Sequence, residues 1–217
     1  MRVIAVTLAL LVGFVASIAP AAAGEGEPFV GSVARLDVET REWMIGSSWR
    51  PGCPVALANL RQVRVTYVGF DGTAQRGRLV VHRRWADEVL VVFRRMYRAG
   101  FRVHRVRLVD RFGADDRESM RHDNTSAFNC RFVAGTTTWS QHAYGRAIDI
   151  NPVENPYVRG SHVSPRRGHR FLDRSDVRPG MVVRGDVVVR AFRRIGWEWG
   201  GNWSTSKDYQ HFSSNGH

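Results

Sequence analysis

The sequence predicts a single-domain α+β fold with a small, mostly antiparallel sheet and flanking helices. Three observations predict it. Segments that alternate in hydrophobicity, rich in β-branched and aromatic residues, recur in distant parts of the chain. Few helical patterns lie between them, which argues against a doubly wound parallel sheet. A length of 217 residues gives one moderate domain with a sizeable core, plus an N-terminal extension.

The chain opens with Arg2, an uncharged apolar run and a cluster of alanines. This reads as a secretory signal peptide over residues 1–23, cut near Ala23. The alternative is an uncleaved anchor, because Val3 to Ala23 is just long enough to span a bilayer. After cleavage no membrane span is expected, and the protein is expected to be exported: secreted, periplasmic or associated with the cell wall. Residues 24–50 are poorly periodic and read as a lead-in with a short pairing segment. The functional domain is expected over residues 51–217.

Within that domain, Gln62 to Phe70 alternates as a strand, Asp71-Gly72 supplies turn chemistry, and Gly77 to Arg83 reads as a second strand. Ala86 to Gly100 sets Val89, Val92, Phe93 and Met96 on one helical face and closes with arginines and a glycine. Arg102 to Val109 returns to strand alternation. Arg111 to Arg131 reads as a loop, and Val153 to Gly180, dense in Pro, Gly and Arg, as a surface excursion. Asp186 starts and Gly196 ends a short helix, and Lys207 to Ser213 reads as a final strand. There is no internal repeat.

The formal net charge is +12, and of the 32 basic residues only Lys207 is a lysine. Such a charge draws the protein toward polyanions, and for an exported chain anionic cell-envelope polymers are the expected partner. The basic residues are scattered and form no nucleic-acid motif, so no nucleic acid is expected. A monomer is expected. Cys53 and Cys130 fit an oxidising compartment, but spacing alone leaves open whether they pair or stay as free buried thiols.

The candidate chemistry lies in Thr138 to Pro152 and in Lys207 to Phe212. Catalytic zinc takes three ligands from His, Asp, Glu and Cys and leaves a fourth position open. Neither an HExxH helix nor a CxxC pair occurs, but His142, Asp149 and His211 do. Asp149 sits between Ile148 and Ile150, where an unpartnered carboxylate would be costly to bury. Seven positions separate His142 from Asp149, so a continuous strand would send them to opposite faces. A bend is therefore required, and Gly145 is the residue that allows it. Asp208 and His211 pose the same parity problem, three positions apart on one expected strand.

These residues resemble a family. Ser140, His142, Gly145, Ala147 and Asp149 fit S-x-H-x-x-G-x-A-x-D, and Asp208 with His211 fits the closing acid three positions before a histidine. This pattern is similar to the peptidase M15 group, the zinc D-Ala-D-Ala carboxypeptidases and L-alanyl-D-glutamate endopeptidases, which share a fold with the Hedgehog signalling domain. DDRESM, NTSAFNCR and GWEWGGNW look like the D-alanyl-D-alanine carboxypeptidase branch, and the resemblance runs over about residues 50 to 213. It implies zinc held by His142, Asp149 and His211, with Asp208 as general base. It implies that Arg131 steadies the intermediate, with Arg121 as a competitor. Ser140 and Trp203 are expected to contact a peptidoglycan peptide. Of the two peptidase activities, D-Ala-D-Ala carboxypeptidase is the expected one.

Two other classes are weighed against this. STSK at Ser204–Lys207 matches the S-x-x-K of penicillin-binding enzymes, but no K-T-G follows, and Lys207 is the only lysine. A non-catalytic zinc-containing module that binds cell wall would keep the ligands. Asp208 argues for turnover instead.

Overall fold

A computed structural model describes residues 27–217. The expected signal peptide at residues 1–23 lies outside the described residues. Among those described, nine short strands form three antiparallel three-stranded sheets, accompanied by four α-helices. The α+β expectation holds, with its strands spread over three sheets.

The first sheet is built from β1 (Ser32–Arg35), β2 (Leu60–Val68) and β3 (Ala74–His82), in that order. Between β1 and β2 lies α1 (Val38–Met44), whose start is capped by Asp37 accepting from the Thr40 N–H at 2.8 Å. Leu36 and Met44 bury against Leu60, Val80 and Phe128. The lead-in expected to run to residue 50 is therefore built into the domain from Ser32 onward. The hairpin between β2 and β3 turns at Gly72 (φ 89°), and Asp71 accepts from the Thr73 N–H at 3.0 Å. These are the roles that Asp-Gly chemistry predicts.

Helix α2 (Ala86–Arg98) buries Val89, Val92, Phe93 and Met96 against Val63, Val65, Leu79 and Val81 of the first sheet. Each such burial stabilises by roughly 1.5–3 kcal/mol relative to exposure. Asp87 and Glu88 sit in its first turn and Arg95 and Arg98 in its last, matching the helix dipole.

Three expectations fail in the middle of the chain. The strand expected over residues 102–109 is absent; only single bridges form, Val68 with Arg102 and Val106 with Thr125. Asparagine side chains take the place of a partner strand: Asn151 accepts from the His104 N–H and Asn124 from the Arg107 N–H, both at 3.0 Å. The expected loop over 111–131 contains α3 (Asp116–Arg121), capped by Asp115 accepting from the Glu118 N–H at 3.0 Å. The surface excursion over 153–180 is ordered and buries Val153 and Phe171.

That excursion supplies β5 (Tyr157–Arg159) and β6 (His162–Ser164), which follow β4 (Ala147–Asp149) along the chain. Helix α4 (Val187–Arg194), capped by Asp186, comes next and buries Val188, Ala191 and Phe192. Then follow β7 (Glu198–Trp199), β8 (Lys207–Asp208) and β9 (His211–Ser213). The second sheet runs β4-β9-β7 and the third β6-β5-β8. The single final strand expected over 207–213 is thus two strands in different sheets.

Cys53 and Cys130 form a disulfide, with Cα atoms 5.9 Å apart. No helix among the described residues is long and apolar enough to cross a membrane.

Candidate metal centre

Three elements bring the candidate ligands together. His142 sits on a 3-10 turn, Gln141–Tyr144, whose start is capped by Ser140 accepting from the His142 N–H at 3.3 Å. Gly145 ends the turn at φ 64° and supplies the predicted bend into β4. A side chain there would be strained in φ, and its Cβ would lie 2.6 Å from the His82 nitrogen. Asp149 ends β4, and His211 begins β9 as its direct cross-strand partner.

All three side chains are buried. His142 Nε2 lies 3.2 Å from Asp149 Oδ2, His211 Nδ1 lies 3.0 Å from Asp149 Oδ1, and the two ring nitrogens are 3.4 Å apart. Four-coordinate zinc with bonds of about 2.0–2.1 Å separates its ligand atoms by about 3.3 Å. The three spacings suit that geometry.

The tautomers follow from the outer contacts. His142 Nδ1 faces the Ala127 carbonyl at 2.5 Å, and His211 Nε2 faces the His217 carbonyl at 3.3 Å. A carbonyl only accepts, so those outer nitrogens carry the hydrogens. The inner nitrogens then present lone pairs toward each other and toward a carboxylate. Three buried acceptors converge on one point, an arrangement that a cation satisfies. Backbone carbonyls orienting the far side of metal-bound histidines are a recurrent outer shell. His142, Asp149 and His211 form a group that could hold a metal ion.

Burial alone would raise the Asp149 carboxyl, but His142 and then His211 outweigh it and hold the group well below the usual carboxylate range. Burial would lower His211, yet the hydrogen bond and charge of Asp149 raise it.

Asp208 stands beside this group on the neighbouring sheet. Burial pushes its carboxyl up to about 7, opposed by the charge of His211 and reinforced by that of Asp149. Its Oδ1 is buried without a hydrogen-bond partner. Gly200 gives it room: a Cβ there would come within 2.7 Å of the Asp208 carbonyl oxygen and 2.9 Å of its Cβ.

The remaining expected residues have these places. Trp203 lies against the ligand group, its ring 5.7 Å from that of His211, and its Nε1 donates to the Gly216 carbonyl at 2.6 Å. Ser140 uses its hydroxyl oxygen to cap the His142 turn. Arg131 pairs with Asp116 of α3 at 2.9 Å, and its carbonyl accepts from the Ser140 N–H. Arg121 is more exposed and pairs with Glu118 on its own helix. The backbone oxygens of Ala127 and His217, which face the two imidazoles, are contacts that sequence reading misses, because a backbone acceptor leaves no mark in residue identity.

On this α+β scaffold three buried side chains form a site that could hold a metal ion, with Asp208 beside it. Residues 134–214 match a family described as D-alanyl-D-alanine carboxypeptidase. The match supports the M15 peptidase family and, with it, a hydrolytic enzyme. It spans Ser140, His142, Asp149, Trp203, Asp208 and His211, whereas Arg131, both cysteines and the first sheet lie outside it. No curated protein and no solved structure matches the chain.

Proposed function

We propose that the chain is an exported zinc peptidase that removes the terminal D-alanine from peptidoglycan peptides ending in D-Ala-D-Ala. The observation that carries this reading is the convergence of three buried lone-pair donors beside a second carboxyl, Asp208, whose buried Oδ1 has no partner. A ligand set alone serves binding; a ligand set with an adjacent carboxyl oxygen left free serves turnover.

Two imidazoles and one carboxylate suit zinc in a site with an open position. A zinc ion held there supplies Lewis acidity and lowers the pKa of water. The chain's own residues do the rest. Asp208 accepts a proton from the attacking water and returns it to the departing amine. Trp203 walls the site beside His211 and excludes water from that side. Ser140 holds the His142 turn. The family resemblance assigns Arg131 to the developing negative charge on the substrate; its guanidinium pairs with Asp116 and would have to turn from that carboxylate to do so. The disulfide suits an oxidising compartment outside the cytoplasm.

The test is incubation of the purified, zinc-loaded chain with defined muropeptides, with and without a chelator, read by mass spectrometry. Loss of one terminal alanine, abolished by chelator, is the expected result. A break after L-alanine would instead assign the L-Ala-D-Glu endopeptidase activity. No mass change in either substrate would make the centre a binding module.

A further inference from the structure

A groove of about 540 Å³ lies on the first sheet and shares no residue with the metal centre. Arg64, Arg76, Arg78, Arg107 and Arg111 line it together with Trp43. Arg64 and Arg78 are direct cross-strand partners, and Arg76 lies two residues along β3 on the same face. Like charges placed opposite one another destabilise a sheet, so the fold carries a local cost here. Only part of it is relieved within the chain. Asp37 pairs with Arg64 at 3.1 Å, and Glu39 lies 3.7 Å from Arg78. Among the described residues, Arg76, Arg107 and Arg111 have no carboxylate partner, which leaves the groove with a surplus of positive charge.

Trp43 organises two of these cations. The guanidinium of Arg111 lies 4.1 Å from its ring centroid and that of Arg78 lies 4.7 Å away. Stacking occupies the faces of the guanidinium planes and leaves their N–H edges to form paired hydrogen bonds. Such forks match phosphate oxygens two at a time. Arg64, Arg76, Arg107 and Arg111 are exposed, so a chain of anions can run along the groove without entering a closed pocket.

We propose that this groove binds a phosphate-bearing polymer of the cell envelope, as a second site separate from the metal centre. A second arginine groove, lined by Arg95, Arg98, Arg190 and Arg194 between α2 and α4, has no aromatic platform and serves as the control, where a double substitution removes the same two charges.

The experiment is calorimetric titration of the purified chain at about 0.15 M salt. The probes are a glycerol-phosphate oligomer, inorganic phosphate, and single-stranded RNA of equal charge. The oligomer is expected to bind saturably and more tightly than the other two. Arg107→Gln with Arg111→Gln should weaken it by at least about tenfold, whereas Arg95→Gln with Arg98→Gln should change it by less than about twofold. Trp43→Leu, which leaves the charge unaltered, should also weaken it several-fold while circular dichroism stays the same. Equal losses in the two double variants would reduce the effect to net charge and overturn the site. Absence of oligomer binding, or RNA or inorganic phosphate binding as tightly, would overturn it too.

Discussion

Asp149 and His211 face each other directly across the β4–β9 ladder, with Oδ1 and Nδ1 3.0 Å apart. Two ligands of the candidate centre are therefore set by strand register. Their neighbours, Ile148 and Phe212, are also direct partners and are fully buried in the core. A slip of one residue would exchange the two sets, driving the carboxylate into the core and the isoleucine into the site. The packing of Ile148 and Phe212 thus fixes the spacing of the ligands on the opposite face.

The two aspartates at the site separate by experiment. Asp208→Asn is expected to keep its zinc and its fold while kcat falls by about 100- to 10,000-fold. Asp149→Asn should lose zinc itself, because a neutral amide replaces an anionic ligand at the centre of the group. Elemental analysis alongside turnover distinguishes them. Wild-type turnover in Asp208→Asn would remove its role as proton acceptor.

Gly200 offers a finer probe. An added methyl would meet the Asp208 backbone at 2.7 Å, and backbone cannot swing aside as a flexible side chain does. Gly200→Ala should move Asp208 and lower kcat/KM by about tenfold or more, with zinc content unchanged. Unaltered kinetics would show that the position of Asp208 is not critical.

Glu154 makes a prediction about pH. Burial first, and then the Asp123 carboxyl, push it from 4.5 up to about 9. Between those values the folded chain binds more protons than the unfolded chain. The contribution to stability is therefore complete below about pH 4.5 and is lost as pH rises through about 9. Glu154→Gln should flatten this decline and raise Tm at about pH 8 by several degrees. Parallel melting curves for variant and wild type across that range would contradict it.

The disulfide spans 77 positions and ties the segment after α1 to the strip that carries Arg131. Cys53→Ser with Cys130→Ser should cost about 2–5 kcal/mol in urea unfolding, chiefly by freeing a long loop in the unfolded chain. A midpoint shift below about 1 kcal/mol would mean that the unfolded ensemble already holds the two segments close.

Much of this was legible in the sequence. The apolar stripe of α2, the Asp71-Gly72 turn, the Asp186 cap and the bend at Gly145 each follow from local chemistry, and each is where expected. The parity problem at Asp208 and His211 was legible only as a problem. Its answer, a change of sheet at Tyr209 and Gln210, depends on partners far away: Tyr157 opposite Asp208, and Asp149 opposite His211. Residues 102–109 alternate as a strand should, yet asparagine side chains 17 and 47 positions away occupy the backbone groups that a neighbouring strand would take. Local pattern reports what a segment can do, and tertiary partners decide what it does. Likewise, α3 was hidden because its six residues are nearly all polar and carry no apolar period.

The division of the closing segment between two sheets gives the site two separately mounted parts. The ligands His211 and Asp149 ride on the β4–β9 ladder, and Asp208 rides on β8 beside β5. The linker is braced from both sides. The Trp199 indole donates to the Tyr209 carbonyl at 2.8 Å, Ile150 N–H donates to the Gln210 carbonyl at 3.0 Å, and Arg174 stacks on the Tyr209 ring at 4.5 Å. The gap between Asp208 and the candidate metal centre is therefore a joint dimension, set by how one sheet is fastened to the other. Substitutions at Arg174, Tyr157 or Tyr209 can lengthen or shorten it while every ligand stays in place. Under the proposed function, reaction rate and metal affinity are thereby adjustable along different axes of the same fold.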